Sequence, residues 1–244
     1  MRSLSDATIR ALDDFWSSQT SCDSADFDAA DVAVVARPAS DGSEYALVFR
    51  RKQRLQITCS ASLFDVLRDA TEGQSRDVVF DPGFLRRNLG ARVERIVGPA
   101  FLGYKDTVSS SPDDPGVRLL PVGDATALHE LQREVSLQDW EYSGLAPAQP
   151  MAVCFDAGRV VSAAGYEVWA QRIAHIGVVT RIGARANGYG RRCVQAITAY
   201  AVAQGLIAQY RTLYDNAGAM AIARELGFSE YGATISVIVR RQPN

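Results

Sequence analysis

Residue types that build metal centres are scarce in this chain of 244 residues. It has two histidines, His129 and His175, and four cysteines, Cys22, Cys59, Cys154 and Cys193. The cysteines stand far apart with no C-x-x-C pair, whereas a structural zinc site takes four close ligands, usually paired in sequence. No metal is expected. Cys154 and Cys193 lie in apolar surroundings and read as small core residues of a reducing compartment. No run reaches the roughly 18 apolar residues of a membrane span. The segment 1–16 carries Asp6, Asp13 and Asp14 and lacks the apolar core of a signal peptide. A soluble cytoplasmic protein without a membrane partner is the expectation. Excess positive charge is missing too: 26 Lys and Arg stand against 28 Asp and Glu, a formal net charge of −2. Phosphate backbones reward a basic surface, so nucleic acid is not an expected partner.

What is present is ordinary globular composition, 47% hydrophobic and 22% charged. The length suits one large or two small domains. The clearest break is 107–116, where serines, acids and two prolines leave almost nothing apolar. It reads as a linker between an N-terminal domain, 1–106, and a C-terminal one, 117–244. In the first, 6–17 has Ile9, Leu12, Phe15 and Trp16 on one side and reads as a helix. Segments 32–37 and 45–50 read as strands, and 62–70 as a helix. A short helix opens at Pro82, and 93–97 follows as a strand. The run Arg50, Arg51, Lys52, Arg54 invites a phosphate-binding reading, but a solvated hairpin end is favoured. No reactive constellation stands out in this mixed α/β half.

Beyond the linker, 117–120 reads as a short strand, and Asp124 as the cap of a helix carrying Leu128, Leu131 and Val135. Segments 151–155 and 159–169 form a hairpin about Asp156-Ala157-Gly158. A strand at 172–180 leads to Arg185-Ala186-Asn187-Gly188-Tyr189-Gly190, and a helix follows to Gln204. Strands at 208–214 and 234–239 and a helix at 217–226 complete the order. A glycine-containing turn that opens a helix leaves several backbone N–H groups without intrahelical partners, all pointing one way. Gly188 and Gly190 lack the Cβ atoms that would hold a ligand off that backbone. The turn therefore reads as an anion cradle.

Arg185-x-x-Gly188-x-Gly190 stands after a strand and before a helix, with Asn216 and Leu226-Gly227-Phe228 downstream. Together these resemble the acetyl-CoA pyrophosphate loop and the later N…A…LGF signature of GCN5-related N-acetyltransferases, the GNAT superfamily. The resemblance covers the C-terminal half, from about Val117. It implies an α/β (α+β) fold with a central mixed, mostly antiparallel sheet flanked by helices. A smaller mixed α/β domain precedes it, as a degenerate copy of the fold or a cap. The implied co-substrate is acetyl-CoA, and the implied reaction is direct acetyl transfer to a primary amine of a small molecule or peptide. A homodimer is a candidate assembly. By the resemblance, Arg185 and the backbone N–H groups of Ala186, Asn187, Gly188, Tyr189, Gly190 and Arg191 hold the pyrophosphate, with Arg192 close behind. The backbone of Val178, Val179 and Thr180 pairs with the pantetheine arm, and Asn216 contacts the coenzyme. Gly177, in the same strand, reads as a place of close backbone approach.

Acyl transfer needs an unprotonated amine and a proton source for the departing thiolate. His175 interrupts an apolar strand, and its ordinary pKa suits a base near neutrality. Glu167, late in the preceding strand, is the other candidate. The tyrosine that many family members use as acid would fall at Ala223, and Tyr214 is the substitute. Asp139, Trp140, Glu141 and Tyr142 lie where the family builds a wall of the acceptor site. The acids suit a cationic amine and the aromatics its carbon skeleton. The alternatives are a non-catalytic acyl-CoA-binding or sensing protein on the same fold, which Ala223 favours slightly, and a nucleotide-binding module. The latter is disfavoured because no lysine follows the turn as in a P-loop.

Overall fold

The structure, a computed structural model, describes residues 3–240 except 30, 40, 109–113, 121, 124, 125 and 147. The expected cap Asp124 and the middle of the 107–116 segment lie outside the described residues. In chain order the main elements begin with α1 (Asp6–Thr20), β1 (Val32–Ala36), β2 (Tyr45–Arg51), β3 (Arg54–Cys59), α2 (Ala61–Thr71), α3 (Arg76–Val79), α4 (Pro82–Leu89) and β4 (Val93–Lys105). There follow β5 (Val117–Leu120), α5 (Thr126–Gln132), α6 (Leu137–Ser143), β6 (Met151–Asp156), β7 (Arg159–Trp169) and β8 (Ile173–Thr180). The last are α7 (Tyr189–Ala203), β9 (Ile207–Leu213), α8 (Ala217–Glu225) and β10 (Ser229–Val239). The fold is mixed α/β, with mostly antiparallel strand pairing flanked by helices. Two compact units are formed, and they are not successive stretches of chain. One is built on Gly103–Arg211 with Ala217–Ser229, the other on Asp6–Leu102 with Thr212–Asn216 and the residues from Glu230.

In the N-terminal unit the strands run in the order β1-β3-β2-β10-β4. Alternation along β2 and β3 sends Val48, Leu55 and Ile57 to one face, where Leu63 and Leu67 of α2 and Phe84 and Leu85 of α4 cover them. Phe49 points the other way. Trp16 of α1 stacks on it at 4.6 Å, and Phe27 meets it edge-on at 5.8 Å. The basic run closes the β2–β3 hairpin and is not simply solvated. Arg50 lies 4.1 Å over the Phe80 ring and 3.8 Å from Asp77, and Arg51 lies 3.9 Å over Tyr231 and 3.6 Å from Asp13. Lys52 pairs with Asp28 at 3.0 Å and Arg54 with Asp31 at 3.2 Å.

In the C-terminal unit the order is β9-β8-β7-β6-β5, antiparallel except for the parallel β8–β9 pair. Ala157 and Gly158 both have positive φ, 47° and 78°, which joins β6 to β7 through the tight turn expected there. One face carries Val153, Ala163 and Val179, packed under Leu128 and Leu131 of α5. The opposite face is covered by α7 through Cys193, Val194 and Ile197. Three strand readings change. β3 is a full strand, β4 extends to Lys105, and β10 begins at Ser229.

Candidate functional site

Strand β8 is paired along one side only for part of its length. With β7 it is in register from Trp169↔Ile173 to Ser162↔Thr180, but with β9 only from Ile173↔Ile207 to Ile176↔Tyr210. Arg181 N–H donates to Val161 O at 2.9 Å. Antiparallel pairs alternate, so Gly177 and Val179 turn their backbone groups to β7. Val178 and Thr180 turn theirs to the open side. Of the three residues expected to pair with a ligand arm, Val179 has therefore spent its backbone on the sheet. Gly177 is approached closely, but by protein: a Cβ there would stand 1.7 Å from Ser143 O, at the end of α6.

A 3-10 turn, Ile182–Ala184, carries the chain from β8 into the Arg185–Gly190 segment. Helix α7 has Gly188 as its N-cap, with φ +79° and no side-chain cap, so the first N–H groups of the helix have no intrahelical partner. The two glycines have different reasons from the one their spacing suggested. Gly188 has open space around it and is required by its left-handed φ. At Gly190 a Cβ would meet Thr180 Oγ1 at 3.0 Å, so this glycine lets α7 approach the end of β8. Ala186, with φ +64°, is a non-glycine residue in the same region. Asn187 ties the turn to itself through Nδ2, which donates to Arg185 O at 3.2 Å.

Each arginine of this segment meets an acid. Arg185 donates to Asp139 at 2.9 Å and to Thr180 O at 3.2 Å. Arg191 stands 3.5 Å from Glu225. Arg192 grips Asp114 through two nitrogens, with Nε at 2.6 Å, and its charge is thereby engaged. The four residues of the expected acceptor wall have separate fates. Asp139 accepts from Ser136, the cap of α6, and from Arg185, and these two hold its carboxyl below the usual range. Trp140 packs against the core beneath α5, while Glu141 and Tyr142 are exposed.

A second polar group lies on the α5–α6 face of the same sheet. Trp169 stacks on His175 at 4.0 Å, and its indole N–H donates to Glu167 at 3.1 Å. His175 Nδ1 and Gln209 Oε1 are 2.6 Å apart, while the Gln209 amide nitrogen donates to the Tyr104 hydroxyl. Gln209 Oε1 must then accept, so Nδ1 carries the proton and Nε2 keeps its lone pair. Burial pushes His175 below the ordinary value of 6.5 and Arg211 pushes the same way, against the Gln209 hydrogen bond and the Glu167 charge. His175 and Glu167, two separate candidates in the sequence, are cross-strand partners. Trp169, Gln209 and Tyr104 were missed. Trp169 shares a face with Glu167 two residues away, a signal that strand alternation carried.

Tyr214 and Asn216 fall in the turn between β9 and α8, grouped with the N-terminal unit. The Tyr214 hydroxyl donates to Glu230 at 2.6 Å, and burial and that carboxylate push its pKa well up. Ala223 is fully buried.

The family model described as the acetyltransferase (GNAT) family matches residues 119–228. This segment is a GNAT acetyltransferase domain. The turn, the open side of β8 and the His175 group all lie within it, apart from Tyr104. A GNAT-family protein from Novosphingobium aromaticivorans is similar at 23% identity over 62% of this chain and 68% of that one, with a TM-score of 0.51. A GCN5-related N-acetyltransferase-like protein from Streptococcus suis is similar at 15% identity over 83% of this chain and 86% of that one, with a TM-score of 0.50. At such identities the likeness is one of fold. The second covers more than the residues from 119 onward, so the likeness in fold reaches into the first 118. No curated protein matches the chain in sequence. Among the described residues no helix is long and apolar enough to cross a membrane, and no cluster of three or more His, Cys, Asp or Glu is placed to hold a metal ion.

Proposed function

We propose that this chain transfers the acetyl group of acetyl-CoA directly to a primary amine of a small molecule or peptide. The observation that carries the reading is the open side of β8 at Val178 and Thr180, next to the uncapped start of α7. The first suits the amide groups of a pantetheine arm, the second a pyrophosphate. Arg185 adds charge to the pyrophosphate end once Asp139 releases it.

His175 is the base of this reading. Gln209 fixes its tautomer and burial keeps it neutral at pH 7, so Nε2 can take a proton from the attacking nitrogen as the carbon–nitrogen bond forms. When the carbon–sulfur bond breaks, the thiolate recovers one proton, and the products are the amide and CoA. Glu167 stabilises the imidazolium that forms between these steps. The Tyr214 hydroxyl, held on Glu230, contributes less as an acid than its position in the sequence suggested.

Acetyl-CoA should raise the melting temperature and slow hydrogen exchange at 185–191, and a panel of amines should then release CoA thiol in an amine-dependent manner. Absence of both stabilisation and protection would end the reading. Binding with slow release that ignores every amine would favour a non-catalytic acyl-CoA sensor.

A further inference from the structure

Cys154 of β6 and Cys193 of α7 bring their sulfur atoms to 3.2 Å, and both are free and buried. Cys154 Sγ also lies 3.6 Å from the carbonyl oxygen of Tyr189, the first residue of α7, and Cys193 Sγ lies 3.5 Å from Ser162 O. The thiols thus form a short chain that ends on the backbone of the coenzyme turn. Strand β6 shifts register against β7 between Cys154 and Phe155, so the pair sits at a bend in the strand. Mere core filling explains two small buried residues. It does not explain a thiol–thiol contact aimed at this carbonyl and set at an irregularity in the strand.

We propose that Cys154 and Cys193 are a reversible disulfide site, oxidised by a small peroxide, that controls the geometry of the turn opening α7. The hydrogen bond from Cys193 holds the Cys154 thiol below its usual value and Arg192 acts in the same direction, whereas burial pushes Cys193 well up. Of the two, Cys154 is the more readily ionised and so the attacking sulfur. Its sulfur bonds to one peroxide oxygen as the O–O bond breaks, and the departing hydroxide takes up the proton lost by Cys154 and leaves as water. Cys193 then attacks the sulfenic sulfur. The S–S bond forms, the S–O bond breaks, and the oxygen leaves as a second water with the Cys193 proton. The two sulfurs give up two electrons and the peroxide gains them; a dithiol reverses the change.

Bond formation draws the sulfurs from 3.2 Å to about 2 Å. It removes the thiol donor from Tyr189 O and pulls the first turns of α7 towards β6. The N–H groups of Tyr189 and Gly190 turn with them. The expected result is about tenfold weaker coenzyme binding, and this consequence alone rests on the acetyl-CoA reading above.

The test treats the full chain with hydrogen peroxide, follows intact mass and peptide maps, and titrates CoA before and after. The expected outcome is loss of two hydrogens, mapped to a Cys154–Cys193 link, reversal by dithiothreitol, and weaker CoA binding only in the oxidised protein. Cys193→Ala should bind CoA as the wild type does and form no intramolecular link with peroxide, any product at Cys154 being an added oxygen instead; peptide maps of the wild type decide the point even if this variant folds poorly. Oxidation confined to Cys22, with Cys154 and Cys193 still alkylatable after unfolding, overturns the proposal. So does a link that leaves CoA affinity unchanged. If the reduced protein binds no CoA at all, the acetyl-CoA reading fails, whereas the mapped link still stands or falls by mass.

Discussion

Two arginine-rich segments of this protein have similar composition and different surroundings. Around the β2–β3 turn, Arg50, Arg51 and Arg54 meet carboxylates, and two of them also lie over aromatic rings. Around the start of α7, Arg185, Arg191 and Arg192 meet carboxylates as well. Charge therefore does not distinguish them. What does is backbone: the second segment opens a helix whose first N–H groups have no capping side chain, beside a strand with one side open. An anion site is made by donors that cannot turn away, and side-chain charge only adds to it.

The comparison breaks most sharply at the glycines. Gly177→Ala sets a Cβ against the Ser143 carbonyl, and a loss of about 3 kcal/mol or more is expected by chemical denaturation. Gly190→Leu drives a side chain towards Thr180 and should weaken CoA binding by roughly a hundredfold in calorimetry, while the hairpin substitution Arg51→Ala leaves CoA binding unchanged. The base has an effect at least as large, but on turnover. His175→Ala should lower kcat by about 10²- to 10⁴-fold with little change in CoA affinity. In the wild type, kcat at saturating amine should carry a His175 limb that rises with pH and levels off below 6.5, because burial favours the neutral imidazole. A limb centred above 6.5 would contradict that assignment.

The smallest effects come from the ion pairs. Asp139→Asn frees Arg185 and should tighten CoA by about two- to fivefold at low salt, less at high salt, since pairs this exposed contribute little. Arg51→Ala should cost about 1 kcal/mol of stability through lost packing on Tyr231. A large effect of Asp139→Asn beside a small one of Gly190→Leu would reverse the ranking of backbone over charge.

Much of the C-terminal unit was legible because its signals are local. The Asp156-Ala157-Gly158 turn and the Arg185–Gly190 segment each act within a few residues. Strand β3 was missed because its first residue, Arg54, closes the basic run, although Leu55, Ile57 and Cys59 alternate plainly. The site's side-chain partners were illegible for a different reason. Asp139 meets Arg185 and Asp114 meets Arg192 across long stretches of chain, and Gln209 faces His175 only because β8 and β9 run parallel. Trp140 looked like a binding aromatic, yet packs under α5. Sequence marks an aromatic next to acids but not the side of the helix on which it lands.

The half-paired β8 also bears on handling. A strand with an open side within a sheet is a template on which an extended segment of another chain can add. Here the opening is short, from Gly177 to Thr180. Whatever small molecule lines up along it also denies that position to a second polypeptide. Purification with such a ligand present should therefore give a preparation less prone to self-association on concentration, independently of any turnover.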